Sequence, residues 1–198
     1  MQFVSIFDEA LTSVECDRVI KWHEMNSDKH KKGVAFGGHV DPNHKESTDW
    51  TKNFRDEDLV DVLLEEVIRE YTKKYIEVNK GLEWVYSSWD LDPWYNIQKY
   101  DPGGGFKNWH HEHGNFDEYP TSDSCRRILA WMVYLNDVPD GGTHFLDQNE
   151  TIEAKAGRLV IWPAYWTHTH KSQVSKTQTK YIATGWYIFD VPEYKLLV

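Results

Sequence analysis

Cysteine is scarce. Cys16 and Cys125 are the 2 in a chain of 198 residues, too far apart in sequence to set a disulfide framework, and this usage suits a reducing compartment. Clustered positive charge is also in short supply: 22 Lys and Arg stand against 32 Asp and Glu, a formal net charge of −10. The one basic run, Lys29-His30-Lys31-Lys32, is short and reads as a solvated loop, so nucleic acid is not an expected partner. No apolar run approaches the ~20 residues needed to cross a bilayer. The opening Met1-Gln2-Phe3-Val4-Ser5 lacks a basic segment followed by a long apolar one. A cytoplasmic protein with no membrane partner is therefore expected, and no repeat or low-complexity tract is visible. What the chain has in quantity is aromatic residues, 10 Trp, 11 Tyr and 8 Phe, within a hydrophobic fraction of 40%, which excludes a disordered chain. Its length is most simply one domain spanning 1–198, long enough to bury a full core.

In chain order, residues 2–7 form a short strand pattern. Thr12-Ser13-Val14-Glu15 follows as a capping box, in which hydroxyl and carboxylate satisfy helix-start amides, and predicts a helix of about four turns through Val19, Ile20 and Trp22. Residues 27–53 are polar and glycine-bearing and read as loop with one strand. Within them His39-Val40-Asp41 is a His-x-carboxylate, but it sits beside Pro42 and ahead of a helix, off any sheet-forming strand, and is set aside as a ligand. From Asp56 to Asn79, Val60, Leu63, Leu64, Val67, Ile68, Tyr71 and Tyr75 recur at helical spacing, and Gly81 supplies the stop. Beyond it the pattern changes to short aromatic and β-branched segments at 84–90, 94–100, 127–136, 143–147, 151–154, 158–162 and 180–190. The layout is mainly β: a helical part to about residue 82 buttressing a sandwich or barrel core from about 83 to 192.

The chemistry concentrates between Tyr100 and His113, where Trp109-His110-His111-Glu112-His113 follows the glycine-rich turn Pro102-Gly103-Gly104-Gly105. Histidine is the commonest protein metal ligand, and three of them beside a carboxylate have a metal site's composition. On a strand, residues two apart share a face, so either His110 and Glu112 or His111 and His113 point inward. The first register, joined by a later histidine, makes a facial triad of two imidazoles and a carboxylate, which leaves positions open on a non-haem Fe(II).

On that register the chain resembles the 2-oxoglutarate and Fe(II)-dependent dioxygenases, in their prolyl 4-hydroxylase-like branch. The resemblance runs from Phe7 to Asp190 and rests on Tyr100 ahead of His110-x-Glu112, on Tyr134-Leu135-Asn136-Asp137, on the turn Gly141-Gly142-Thr143 and on Lys155-Ala156-Gly157. His170 with Lys180 ten residues later, and the closing Lys180-Tyr181-Ile182-Ala183-Thr184-Gly185-Trp186, complete it. It implies a double-stranded β-helix, a jelly roll of the cupin-like kind. It also implies that His110, Glu112 and His170 hold Fe(II), that Lys180 pairs with the distal carboxylate of 2-oxoglutarate, and that Tyr134 and Tyr100 donate hydrogen bonds to that co-substrate. O₂ is the second co-substrate, with ascorbate a further candidate cofactor. The implied reaction hydroxylates a substrate with release of succinate and CO₂. Three positions depart from the family pattern: Glu112 replaces the usual Asp, Ser172 stands where glycine follows the distal histidine, and the Gly-Gly turn lacks the glutamate before Thr143.

The second register resembles a cupin, with the metal held by His111, His113, Glu118 and His168. It leaves Tyr100, Tyr134 and Lys180 without a role, and its expected glycines and closing asparagine are replaced by Cys125, Tyr165 and Ser172. Both families share one fold, and fold alone does not fix function. A metal-free jelly-roll binding protein is the third reading. A prolyl residue in a peptide or protein is the first expected substrate and a small molecule the second. The loops at 27–53 and 114–126, with Trp94, Tyr95 and Tyr165, are candidates to line its groove.

Overall fold

The structure, a computed structural model, describes residues 2–34, 39–114 and 123–190. Its strands and α-helices are β1 (Ser5–Phe7), α1 (Ser13–Met25), β2 (Lys31–Lys32), β3 (Lys45–Glu46), β4 (Thr48–Asn53), α2 (Leu59–Val78), β5 (Trp89–Tyr100), β6 (Gly105–Phe106), β7 (Arg127–Tyr134), β8 (Val138–Phe145), β9 (Glu150–Ala154), β10 (Leu159–Pro163), β11 (His170–Ser172) and β12 (Lys180–Phe189). Seven strands form the main sheet in the order β1-β10-β7-β12-β5-β4-β2, facing a minor sheet β11-β8-β9, with β3 and β6 paired at the side. All pairings are antiparallel, and the architecture is the expected double-stranded β-helix buttressed by two helices.

Side-chain alternation divides the main sheet into two cores. On the helix side, Ile97, Ala183, Val133 and Leu159 lie in one row across β5, β12, β7 and β10 and pack with Leu64 and Ile68 of α2. On the other face, Ile182, Tyr134, Met132 and Val160 pack with Phe145 and Ile152 of the minor sheet. The central strands are therefore buried on both faces, which is why β7 reads as a continuous apolar run, Ile128 to Leu135, rather than an alternating one.

Both predicted helices form. Thr12 and Glu15 make the capping box of α1. Asp58 caps α2, and the same carboxylate lies 2.5 Å from Lys52 Nζ of β4, which also reaches Asp61 at 3.1 Å. Asp61 in turn accepts from the Tyr95 hydroxyl at 2.5 Å, clamping the helix start to β4 and β5. Tyr95, a candidate groove residue by sequence, is thus fully buried in the helix-side core.

Three segments differ from expectation. Residues 84–90 are not a separate strand: a 3₁₀ turn covers Lys80–Trp84, and β5 then runs unbroken from Trp89 through the predicted 94–100 segment. Pro93, which suggests a break, is tolerated because it lies beyond the last β4 pairing and within the bulge where β12 skips between Gly185 and Tyr187. The 27–53 stretch contributes three strands rather than one, and β8 starts at Val138, five residues earlier than predicted, bending at Gly141-Gly142. The turn before β10 needs Gly157: its φ is +77°, and a Cβ there would lie 2.0 Å from the Leu11 carbonyl.

Candidate functional site

His110 follows β6, and its ladder contact is a bridge to His170, the first residue of β11. Each backbone N–H donates to the other's carbonyl, at 3.0 and 2.8 Å. The N–H groups of Glu112 and His113 then both donate to the Ala164 carbonyl, at 3.0 and 2.9 Å. The chain bends here instead of continuing as a strand. Glu112 accordingly reaches the side of His110 through a turn, not through the strand alternation expected from sequence.

The hydrogen bonds behind the two imidazoles fix their tautomers. His110 Nδ1 lies 3.1 Å from the Asn108 carbonyl, and His170 Nδ1 lies 2.9 Å from the His168 carbonyl. A carbonyl can only accept, so Nδ1 carries a proton in both rings, and Nε2 is the atom each ring turns toward the cluster. Both Nε2 atoms converge on Glu112 Oε1, at 3.4 and 3.5 Å. The other carboxylate oxygen, Oε2, accepts from Trp186 Nε1–H at 2.9 Å and from the Arg127 guanidinium at 3.4 Å. Arg127 stacks over the Trp186 ring at 3.5 Å. The oxygen facing the imidazoles is thus available while its twin is held.

Protonation follows the same logic. Burial opposes charge on Glu112, but hydrogen bonds with His110 and His170, and their charge, hold its carboxyl well below the usual range. Burial, reinforced by His170, lowers the pKa of His110. A metal ligand must be deprotonated, and both groups are biased to that form. The three donor atoms lie within 4.8 Å of one another, the one such group among the described residues. Two imidazoles, one carboxylate and partners that fix their orientation are a donor set that fits Fe(II).

A cavity of about 720 Å³ opens from this cluster across the inner face of the main sheet to its edge at β2. Tyr100 lines it and donates its hydroxyl to Gln98 Oε1 at 2.6 Å. Lys180, paired with Tyr100 across β12 and β5, is 4% exposed. Its ammonium donates to the Gly141 carbonyl at 2.7 Å and lies 5.2 Å from the centre of the Tyr100 ring. No described carboxylate pairs with it, and burial pushes its pKa down to about 8. The Tyr134 hydroxyl shares a 2.7 Å hydrogen bond with Thr143, which lines the cavity. Of the six residues expected from sequence, four therefore face the cavity, and Lys180 and Tyr134 lie one layer behind it.

The cupin-like set is not assembled among the described residues. The rings of His113 and His168 are bound to backbone, His113 Nδ1 to Arg127 O at 2.8 Å and His168 Nε2 to Gln2 O at 3.1 Å, while Glu118 lies outside the described residues. His39 is exposed and Asp41 instead pairs with His44 at 2.7 Å. Ser172 has a use that glycine could not supply: its hydroxyl accepts from the Phe106 N–H at 3.1 Å, tying β6 to β11. Sequence reasoning missed Arg127 and Trp186 as partners of Glu112. Alternation along Lys180, Ile182, Thr184 and Trp186 could have placed the tryptophan on the inner face, whereas nothing in the sequence marks Arg127.

Comparison with known proteins agrees with this arrangement. No curated protein sequence matches the chain. Three solved structures share the fold over 96% of it. A viral collagen prolyl hydroxylase from Paramecium bursaria Chlorella virus-1, solved with 2OG, is 18% identical, covered over 97% of its length, with a TM-score of 0.71. A Pseudomonas putida prolyl-4-hydroxylase is 13% identical, covered over 94%, with a TM-score of 0.68. A Trichoplax adhaerens prolyl hydroxylase, in complex with a hypoxia inducible factor oxygen degradation domain peptide fragment, is 14% identical, covered over 84%, with a TM-score of 0.72. Residues 95–188, which contain every candidate ligand, match the 2OG-Fe(II) oxygenase superfamily, whose dioxygenase chemistry uses Fe(II), 2-oxoglutarate and O₂. Over residues 95–188, just under half of its length, the chain is similar to the 2OG-Fe(II) oxygenase superfamily.

Proposed function

We propose that His110, Glu112 and His170 hold a single Fe(II) and that the chain, as one domain over 1–198, hydroxylates a prolyl or related residue of a peptide. The observation that carries this reading is the convergence of two Nε2 atoms on Glu112 Oε1 at 3.4 and 3.5 Å. Fe(II), 2-oxoglutarate and O₂ together supply the oxidising chemistry: the keto acid loses CO₂ to become succinate, one oxygen atom entering succinate and the other the substrate C–H bond.

The protein's part is to hold and orient. Trp186 and Arg127 keep Glu112 turned toward the imidazoles. Lys180 is a buried cation without a carboxylate partner among the described residues, and a cation in a low-dielectric site calls for an anion. It is suited to the distal carboxylate of 2-oxoglutarate, with Tyr100 beside it and Tyr134 fixing Thr143 in the wall. A peptide is favoured because the cavity does not close around the cluster but runs on to the sheet edge.

The test is to load the protein with iron anaerobically, add 2-oxoglutarate, O₂ and proline-containing peptides, and follow succinate and peptide mass together. The reading expects succinate to form and a peptide to gain one oxygen. His110→Ala and His170→Ala should each abolish turnover, since each removes one of three protein ligands. Iron-dependent turnover persisting in either variant would contradict the triad, and oxidation of a free amino acid in place of any peptide would contradict the peptide assignment.

A further inference from the structure

The main sheet ends beside the cavity in β2, whose two residues are Lys31 and Lys32. Lys31 pairs with Asp49, Asp49 with Gln98, Gln98 with Ile182 and Ile182 with Tyr134, so Lys31 occupies the outer end of a row that faces the cavity. The next row inward is Thr51, Asn96, Thr184 and Met132, three of them polar. Between the candidate ligands and the Lys31 row, then, the floor is uncharged and hydrogen-bonding.

Charge at the cavity is otherwise accounted for. Lys29 pairs with Asp28 at 3.3 Å, Lys45 with Asp49 at 2.6 Å and Arg127 with Glu112 at 3.4 Å. Lys31 and Lys32 both line the mouth, and neither pairs with a carboxylate of the described residues. In a chain of net charge −10, the single basic run stands at the opening of its cavity. By composition alone the run reads as a plain solvated loop. Asp49, the one acid in the Lys31 row, is already paired: its Oδ2 receives Lys45 and Gln98, at 2.6 and 3.3 Å, while its buried Oδ1 has no partner.

We infer that Lys31 and Lys32 bind a carboxylate side chain of the substrate, so that the preferred peptide carries Asp or Glu a short distance from the residue that is hydroxylated. The inference rests on the peptide reading given above and adds its sequence preference. The indole of Trp186 places the metal ligands over β12. Three strand steps of ~4.8 Å separate β12 from β2, ~14 Å across the sheet, and the four residues from Ile182, in the Lys31 row, to Trp186 add ~13 Å along the strands, so the span is ~19 Å, about six extended residues at ~3.3 Å each. The lysine stem, four carbons long and flexible, shortens that span, so a carboxylate about four to six residues from the target is within reach.

The experiment uses a proline-containing peptide that the enzyme turns over, with one Glu, Gln or Lys moved through positions two to six on either side of the target. The peptide with Glu about four to six residues away should show kcat/KM roughly three- to tenfold above its Gln counterpart, the scale of one or two exposed ion pairs, and Lys there should be worse than Gln. Lys31→Glu should invert that ranking, as should Lys32→Glu to a smaller degree, and salt should flatten it in the wild type. If peptides are hydroxylated with no dependence on charge at any position, or if the ranking survives both substitutions, the inference is overturned while the hydroxylase reading stands. If no peptide is hydroxylated although succinate still forms from 2-oxoglutarate, it is the peptide reading itself that fails, and this inference with it.

Discussion

Glu112 shows how a carboxylate can be made to present one particular oxygen. Its longer side chain, in place of the family's aspartate, extends to the indole of Trp186, which takes Oε2 at 2.9 Å and leaves Oε1 toward both imidazoles. Trp186→Phe keeps the aromatic platform under Arg127 but deletes that donor. Metal affinity should fall about 10- to 100-fold, the usual effect of losing a partner of this kind. Calorimetric titration with Fe(II) under argon checks it.

Lys180 is the other residue whose environment makes a quantitative claim. Its folded pKa is about 8 against 10.5 for the free side chain, because burial disfavours the charge. A depressed lysine pKa means that the unfolded chain binds more protons between about pH 8 and 10.5, so the ligand-free protein should gain stability as pH rises through that window. Below it the buried charge costs up to about 3 kcal/mol, at ~1.4 kcal/mol per pH unit. Lys180→Met should therefore raise the melting temperature of the ligand-free protein near neutral pH. The same change should weaken 2-oxoglutarate binding by roughly two to three orders of magnitude, since half of a buried charged pair is worth ~3 to 5 kcal/mol. In the wild type, 2-oxoglutarate affinity should decline as pH rises above about 8, where the free ammonium is lost. Calorimetry in buffers of differing ionisation enthalpy would show proton uptake on binding there.

Among the elements, those that sequence revealed are those whose signals are local. The capping box of Thr12 and Glu15 and the spacing from Val60 to Tyr75 each specify a helix from within a few turns, and both helices appear where these signals place them. In sequence β5 reads as two pieces because Pro93 is a breaker locally, whereas its tolerance depends on where β4 stops and where β12 bulges, facts of pairing. The 27–53 stretch hid β4 for the same reason, since Thr48–Asn53 becomes a strand by pairing with β5. The candidate site was legible in kind because three histidines and a carboxylate cluster in sequence, but its geometry was not, because the bend after His110 depends on Ala164, far away in the chain. Gly157 offers an element-level test. Gly157→Ala forces a side chain into a left-handed turn and against the Leu11 carbonyl, so it should cost about 1 to 3 kcal/mol, read as a lowered denaturant midpoint.

At the scale of the molecule, the two cores assign the two halves of the chain different tasks. α1 and α2 cover the outer face of the main sheet with an apolar layer and leave its inner face to the minor sheet and the cavity. No described helix is long and apolar enough to cross a membrane. The whole arrangement converges on one claim, that a single Fe(II) is held by His110, Glu112 and His170 and by no other set of histidines. Anaerobic Fe(II) titration of four proteins tests it: wild type, Glu112→Ala, His170→Ala and the double variant His111→Gln with His168→Gln. One equivalent bound by the wild type and by the double variant, with binding lost in Glu112→Ala and His170→Ala, is the predicted result; binding lost in the double variant and kept in the other two would contradict it.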